Sequence, residues 1–384
     1  MNDRERTIAA LSFAKPDRIP FEPGSGRQST LRAWRQQGLP PDEQDYQAYI
    51  RRVLDIPPAS PRSSDLFNAD IRMIPQFEEK VIEHRPAPPG ADAPGVLVVQ
   101  DWKGNICEIS DEYDVTYLRS AKDFVTRTWI RCPVESRNDW PDMARRYDAN
   151  DVARFPADWE QHAARLRNRA VVHRITVTGP FWQMREWCGF EGLCVLMADD
   201  PTFVDEMAAF WSNFVAGLLQ RLLTRHVPDV ILVNEDMAYK EKAMISPAMT
   251  RRFLMPAWRR WAALCRDAGV PIYAVDSDGY VGDLIPLWIE AGFRMNYPCE
   301  VAAGNDLPAY RGRFGIRMAY TGGVDKRAMA AGGNAIRAEL ERLRPAVEAG
   351  GFIPSCDHAV PADVTWPKFL DYCRCLAQMT GWLP

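Results

Sequence analysis

Long apolar runs are missing from this sequence of 384 residues. No window approaches about 18 uninterrupted apolar positions, so no membrane span is expected. Charge of one sign is missing as well. The formal net charge is −4 and the arginines are intermixed with acidic residues, which argues against a nucleic-acid surface. The charged N-terminal stretch MNDRERTIAALSFAKPDRIP has no apolar segment ending in a cleavage site, so no secretory leader is expected and the cytoplasm is the default. The nine cysteines are an odd count, scattered through a chain too large to need disulfide staples and without a C-x-x-C pair, so reduced thiols are expected. Neither G-x-G-x-x-G nor G-x-x-x-x-G-K-[ST] occurs in its proper setting, which removes both nucleotide fingerprints. There is no internal repeat and no low-complexity tract.

What is present is a globular composition. A hydrophobic fraction of 47% allows a substantial core in one large domain, here read as a single unit over 1–384. Thirty prolines and thirteen tryptophans point to many rigid loops and an aromatic-lined cleft, with core packing the alternative for each tryptophan.

Residues 3–14 read as a helix and 16–21 as a short first strand. A loop carrying Arg27 follows, with Ser29 or Thr30 capping a helix over 31–37 and Gly38 closing it. Region 66–118 differs in texture. The runs IRMIPQF, KVIEHR, GVLVVQDW and NICEISDEYDVTYL are short and β-rich, with a hairpin turn at Lys103-Gly104-Asn105, and predict an antiparallel insertion. Helical and Pro-rich pieces occupy 119–168.

From 170 onward the chain alternates. Strands are predicted at 171–178, 230–234, 270–274, 293–297, 316–320 and 351–354, with helices between them, including 247–268 and a final one at 367–379. Polar residues recur just after apolar strands. That favours a (β/α)8 TIM-type barrel with its site at the C-terminal strand ends, carrying N-terminal helical and antiparallel β additions.

The candidate site residues sit at those ends. Asp276 and Asp278 are two apart after a strand and project to the same side if extended geometry persists. Two carboxylates there need a cation, a metal or a shared proton, although Asp-Gly composition also makes an ordinary turn. His358, beside Asp357, follows the last strand and suits proton transfer or substrate contact. Glu235 and Asp236 end another strand, with Tyr239 and Lys240 after them; Glu300 follows Pro298-Cys299. Arg27 is either an anion anchor or a solvated loop charge, and Arg185, beside Trp182 and Trp187, either holds a planar anion or packs on a ring. Cys356 is either a thiolate ligand or a small buried residue. Thr321-Gly322-Gly323 is weak evidence for a phosphate loop, and Cys373 and Cys375 point to different faces of one helix.

Taken in order, ERTIAALSFAKPDRIPF, Gly179-Pro180-Phe181-Trp182, Glu235 to Lys240 with Ser246-Pro247, Asp276-Ser277-Asp278-Gly279, Thr321 to Asp325 and Ile353 to His358 resemble the uroporphyrinogen decarboxylase superfamily. That superfamily includes the corrinoid-linked methyltransferases. The resemblance implies the barrel, and methyl transfer from a small organic substrate to a corrinoid on a partner protein, or to another thiol or folate carrier. In that reading Asp276, Asp278, His358 and Glu235 are catalytic, while Arg27, Arg185, Trp182, Tyr239, Lys240 and Glu300 contact substrate.

Two departures qualify it. The arginine-rich N-terminal motif of authentic uroporphyrinogen decarboxylases is reduced to the single Arg27 in Gly24 to Ser29. The zinc methyltransferases carry a His-x-Cys pair where this chain has Asp276-Ser277-Asp278, and only Cys356 resembles their second cysteine. A metal, if present, is expected at Cys356, Asp276 and Asp278: zinc, or a harder divalent ion given the oxygen-rich set. The alternatives are a decarboxylase or related lyase acting on a small anion, and a non-catalytic small-ligand barrel. Assembly is left open, a homodimer being one option.

Overall fold

The computed structural model describes residues 1–90, 94–115, 117–120 and 127–384. Lys80–Arg85 (β1), Val96–Gln100 (β2), Ile106–Ser110 (β3) and Thr128–Arg131 (β4) pair antiparallel in chain order. Their own small core is Val99, Cys107, Ile109 and Leu118. None of these strands pairs with the main sheet. The hairpin at 103–105 forms because buried Asp101 accepts from the backbone N–H groups of Lys103 and Asn105, both at 2.9 Å. The run 71–77 is not a strand, and the sheet continues to Arg131, beyond the predicted limit at 118. Residues 91–93 and 116 of the predicted insertion, and 121–126 of the stretch after it, lie outside the described residues.

The main sheet contains Arg174–Thr178 (β5), Val230–Asn234 (β6), Ile272–Asp276 (β7), Met295–Tyr297 (β8), Ala319–Val324 (β9) and Phe352–Cys356 (β10). They are parallel, in chain order, each bonded to the next. Helices connect them, as their apolar spacing predicts. The sheet has two different faces because side chains alternate along a strand. Ile175, Val177, Ile231, Val233, Tyr273 and Val275 join a large core with the surrounding helices. Trp187, Trp211, Trp258, Trp261 and Trp288 are fully buried in it, so most of these indoles are core and not cleft lining. The opposite, inner face holds a smaller cluster, including Val230, Leu232, Ile272, Ala274 and Ile353, closed by Ala10 and Leu11 of the first helix, Asp3–Leu11.

Eight strands were expected in this sheet; the described residues supply six. Segment 16–21 is not a strand. Pro16 and Pro20 have no N–H to give to a ladder. The chain after it nevertheless runs beside the end of β10: a Cβ at Gly24 would stand 2.8 Å from the Cys356 Cβ, and Gly26 bridges Val360 in parallel sense, while the Ile19 N–H donates to the carbonyl of Thr380 after the last helix at 3.2 Å. At the other edge, Asn68 and Thr176 exchange two hydrogen bonds of 3.2 Å. The next helix spans Gln28–Arg35, earlier than predicted, with no side-chain cap. Thr30 is inside it and donates to the Val360 carbonyl at 2.8 Å, while the Trp34 indole donates to Val364 at 2.7 Å. Those bonds hold the loop after β10, the loop that carries His358.

Candidate functional site

Asp276 is the last residue of β7, level with Thr178 and Asn234 across the sheet. Because 272 and 274 belong to the inner cluster, 276 faces the same way. Its carboxylate has no hydrogen-bond partner among the described residues. Burial pushes its pKa up to about 7, reinforced by the negative charges of Asp278 and Asp236 and opposed by Arg174 and His358. Asp278, in the loop, is half exposed and its Oδ2 lies 3.2 Å from His358 Nε2. The Asp278 carboxylate raises the histidine pKa above its usual value, against the effects of burial and of Lys326. Nδ1 of His358 is shut off from solvent with no partner among the described residues. The pair thus couples a proton-holding imidazole to a carboxylate, beside a second carboxyl that titrates near neutrality.

Glu300 adjoins this group. Its Oε1 accepts from Lys326 Nζ at 2.7 Å and its Oε2 from the Gly279 N–H at 3.3 Å. Asp357, fully buried, accepts from the backbone N–H groups of Val301 at 2.9 Å and Lys326 at 3.2 Å, and so ties the loops after β8, β9 and β10 together. Lys326 carries no motif of its own and was not legible in the sequence. Gly322 and Gly323, offered as weak evidence for a phosphate loop, lie within β9 itself. Gly322 has φ +93°, and a Cβ there would stand 1.8 Å from the Pro298 carbonyl oxygen, so glycine is required by close backbone approach.

Glu235 is separated from the group, contrary to the catalytic expectation. It faces the helix-side core and is fully buried. Its carboxyl accepts from the N–H groups of Phe181 at 3.0 Å and Trp182 at 3.3 Å, and from the Trp258 indole at 2.5 Å. It caps the helix Pro180–Cys188, and burial pushes its pKa up to about 8. Cys356 likewise packs into the helix-side core, where burial pushes its thiol up to about 12. Among the described residues no three His, Cys, Asp or Glu side chains are grouped as metal ligands. The set Cys356, Asp276 and Asp278 therefore does not fit zinc, since its only sulfur lies on the other face of the sheet from Asp276.

Of the expected substrate residues, Arg185 is already occupied: Nη2 pairs with Asp236 Oδ2 at 3.0 Å, and the guanidinium lies 4.5 Å from the Trp182 ring centre. Tyr239 and Lys240 sit in an exposed turn closed by the Ala238–Ala243 bridge. The Arg27 N–H donates to the Val360 carbonyl at 3.4 Å, which brings its backbone to the His358 loop. A groove of about 910 Å³ runs between β4 and the chain 182–196. Its lining includes Trp182 and Arg185 but none of Asp276, Asp278 and His358. The convergence of titratable groups, and not that groove, marks the candidate active site.

No family model matches the chain, and no curated protein does. Among solved structures it is similar to a methyltransferase from Methanosarcina mazei, at 13% identity and a TM-score of 0.58, over 99% of this chain and 98% of that one. At that identity the likeness shows a shared α/β fold over the whole length.

Proposed function

We propose that this chain is an enzyme of the uroporphyrinogen decarboxylase-like superfamily, closed as a (β/α)8-type barrel through the segments beside β5 and β10, and that it transfers a methyl group from a small organic substrate to a carrier. The observation that carries the reading is the Asp278–His358 pair at 3.2 Å next to Asp276, whose pKa is near 7, at the C-terminal end of a parallel sheet. The whole-length likeness to a methyltransferase fold supports it. In such a transfer the bond between methyl carbon and the substrate heteroatom breaks, and the carbon bonds to the incoming nucleophile. The electron pair stays on the heteroatom, which takes a proton from the His358 imidazolium or from protonated Asp276. A corrinoid carrier, when bound, supplies that nucleophile. Asp278 holds His358 charged and oriented; Glu300 and Lys326 fix the loops around it.

A carboxy-lyase reaction is the second reading, favoured by the same near-neutral Asp276, which can protonate a carbanion after loss of carbon dioxide. Reduced free cobalamin, offered with O-methyl, S-methyl and N-methyl compounds, separates the two. A change in the cobalamin spectrum that Asp278→Asn abolishes supports methyl transfer. Release of carbon dioxide from carboxylic acids, without any cobalamin change, replaces it with the lyase.

A further inference from the structure

The inner face of the parallel sheet changes character from one layer to the next. Thr176, Leu232, Ala274, Met295 and Ala319 pair in turn across β5 to β9, and the last four belong to the inner apolar cluster. Two residues further along the same strands, and so on the same face, stand Thr178, Asn234, Asp276, Tyr297 and Thr321. Ser355 stands likewise two beyond inner Ile353 on β10. The first four are in register from strand to strand, which sets neighbouring positions about 4.8 Å apart. Thr321 and Ser355 are 8% and 9% exposed, and the other four are half-buried. A polar layer inside a sheet is costly unless its groups find hydrogen-bond partners. Among the described residues, none of the six makes a side-chain hydrogen bond. Nor are their polar atoms sealed off. Asn296 Oδ1 and Tyr320 Oη, one residue away on the helix side, are closed from solvent without a partner, whereas no atom of the six is. The belt therefore opens onto solvent at the C-terminal strand ends, above an apolar floor and with Asp276 in its middle.

The chemistry of the belt narrows what can fill it. Five of the six groups are uncharged: four hydroxyls and the Asn234 amide. Each of these both donates and accepts, so a matching ligand must also do both. The six include no cation, and the two cations in the loops beyond them are spent, Lys326 on Glu300 at 2.7 Å and His358 on Asp278 at 3.2 Å. An anion would stand unpaired beside Asp276 and Asp278. A tetraalkylammonium ion would meet Asp276 but offer no hydrogen bond to the hydroxyls or the amide. A simple aryl methyl ether has one weak acceptor and would strip water from the remaining groups without replacing it. A molecule with several hydroxyls satisfies donors and acceptors together.

We propose that this belt selects an uncharged, hydroxyl-rich substrate, the methyl ether of a polyol or of a single sugar-like ring, and holds it against Asp276. The inference deepens the reading of Asp276, Asp278 and His358 as the active site and rests on it. The test is calorimetric titration of the full chain with methyl α-glucopyranoside, a mono-O-methyl inositol and 3-methoxypropane-1,2-diol, each compared with anisole, benzoate and choline. At least one of the first three is expected to bind, and none of the last three to displace it. Tyr297→Phe and Thr321→Val should each weaken that binding about 3- to 10-fold, as expected for loss of one neutral hydrogen bond. Asn234→Leu, which removes a donor and an acceptor, should weaken it more. Tyr320→Phe, one residue away on the helix side, should leave it unchanged. Thermal melts check that the variants fold, and Thr178→Val or Ser355→Ala replaces any that does not. Failure of all three polyol ethers to bind, tighter binding of anisole, benzoate or choline, or unchanged affinity in the folded belt variants each overturns the inference. Methyl transfer to cobalamin from anisole or choline alone would overturn it too, and leave the proposed reaction standing. Belt-dependent binding of a polyol ether without any cobalamin change would overturn the reaction and leave the ligand class standing.

Discussion

The two ends of the parallel sheet carry polar clusters built from the same residue types, and they are opposite in character. At the N-terminal end, fully buried Asp229 accepts from Arg4 Nε, Arg169 Nε and the His173 N–H, each at 2.8 Å. His173 Nδ1 lies 2.8 Å from His226 Nε2, and its Nε2 lies 2.7 Å from the Phe67 carbonyl. Burial works to raise the Asp229 pKa, but Arg169 and the His173 N–H outweigh it and hold it low. At the C-terminal end Asp276 is unpaired and Asp278 half exposed. A network whose every donor and acceptor is spent stabilises the fold. One that keeps unsatisfied groups in reach of solvent keeps capacity for a ligand.

That contrast breaks if the closed cluster proves dispensable. Asp229→Asn leaves Arg4 and Arg169 without their counter-charge and is expected to cost about 3–5 kcal/mol of stability in urea unfolding, with turnover per folded molecule unchanged. Acid probes the same cluster. Burial, and then His173, lower the His226 pKa from 6.5 to about 4, so this histidine is neutral in the fold and protonates more readily when unfolded. Its contribution is complete above pH 6.5 and is lost as pH falls toward 4, on the order of 3 kcal/mol in total. Urea midpoints measured across that range should fall with pH, and His226→Gln should flatten the slope.

At the open end, Asp278→Asn is expected to lower kcat about 100-fold with the circular dichroism spectrum unchanged. Asp276→Asn should do likewise and remove an inflection near pH 7 from the kcat profile. With Asp276 acting as the acid, the wild-type rate falls as pH rises through about 7. If the two act as a unit, the double variant is little worse than either single one. Near-normal turnover in both single variants would reduce them to turn residues. Glu235→Ala sharpens the distinction: removal of the buried cap should cost about 1–2 kcal/mol of stability, while Glu235→Gln keeps turnover within about threefold. Smallest of all, Lys240→Ala is expected to move the melting free energy by less than about 0.5 kcal/mol. A large fall in turnover there would shift the site to the exposed turn.

Element type was legible wherever the pattern was strong. Strands β5 to β10 appear within a few residues of their predicted positions, because apolar runs bounded by turn residues leave little choice. The stretch 16–21 failed because an extended chain rich in proline can lie against a sheet without joining it. β4 was missed altogether, Thr128–Arg131 being exposed throughout and so without an alternating signal.

Within the site, the strand-end position of Asp276, Asp278 and His358 was readable from the order of apolar runs and polar termini. Which face each residue takes was not. Asp276 ends its strand and Glu235 follows the end of its own, and that one residue of phase turns Glu235 under a helix terminus and leaves Asp276 on the inner face. Lys326 follows a loop aspartate with no motif around it. The sequence alone determined the alternation of strands and helices and the enrichment of carboxylates at strand ends, since both follow from local periodicity. Only the tertiary structure decided which of those charges are spent on one another, because ion pairing depends on distances between residues as far apart in the chain as Asp278 and His358.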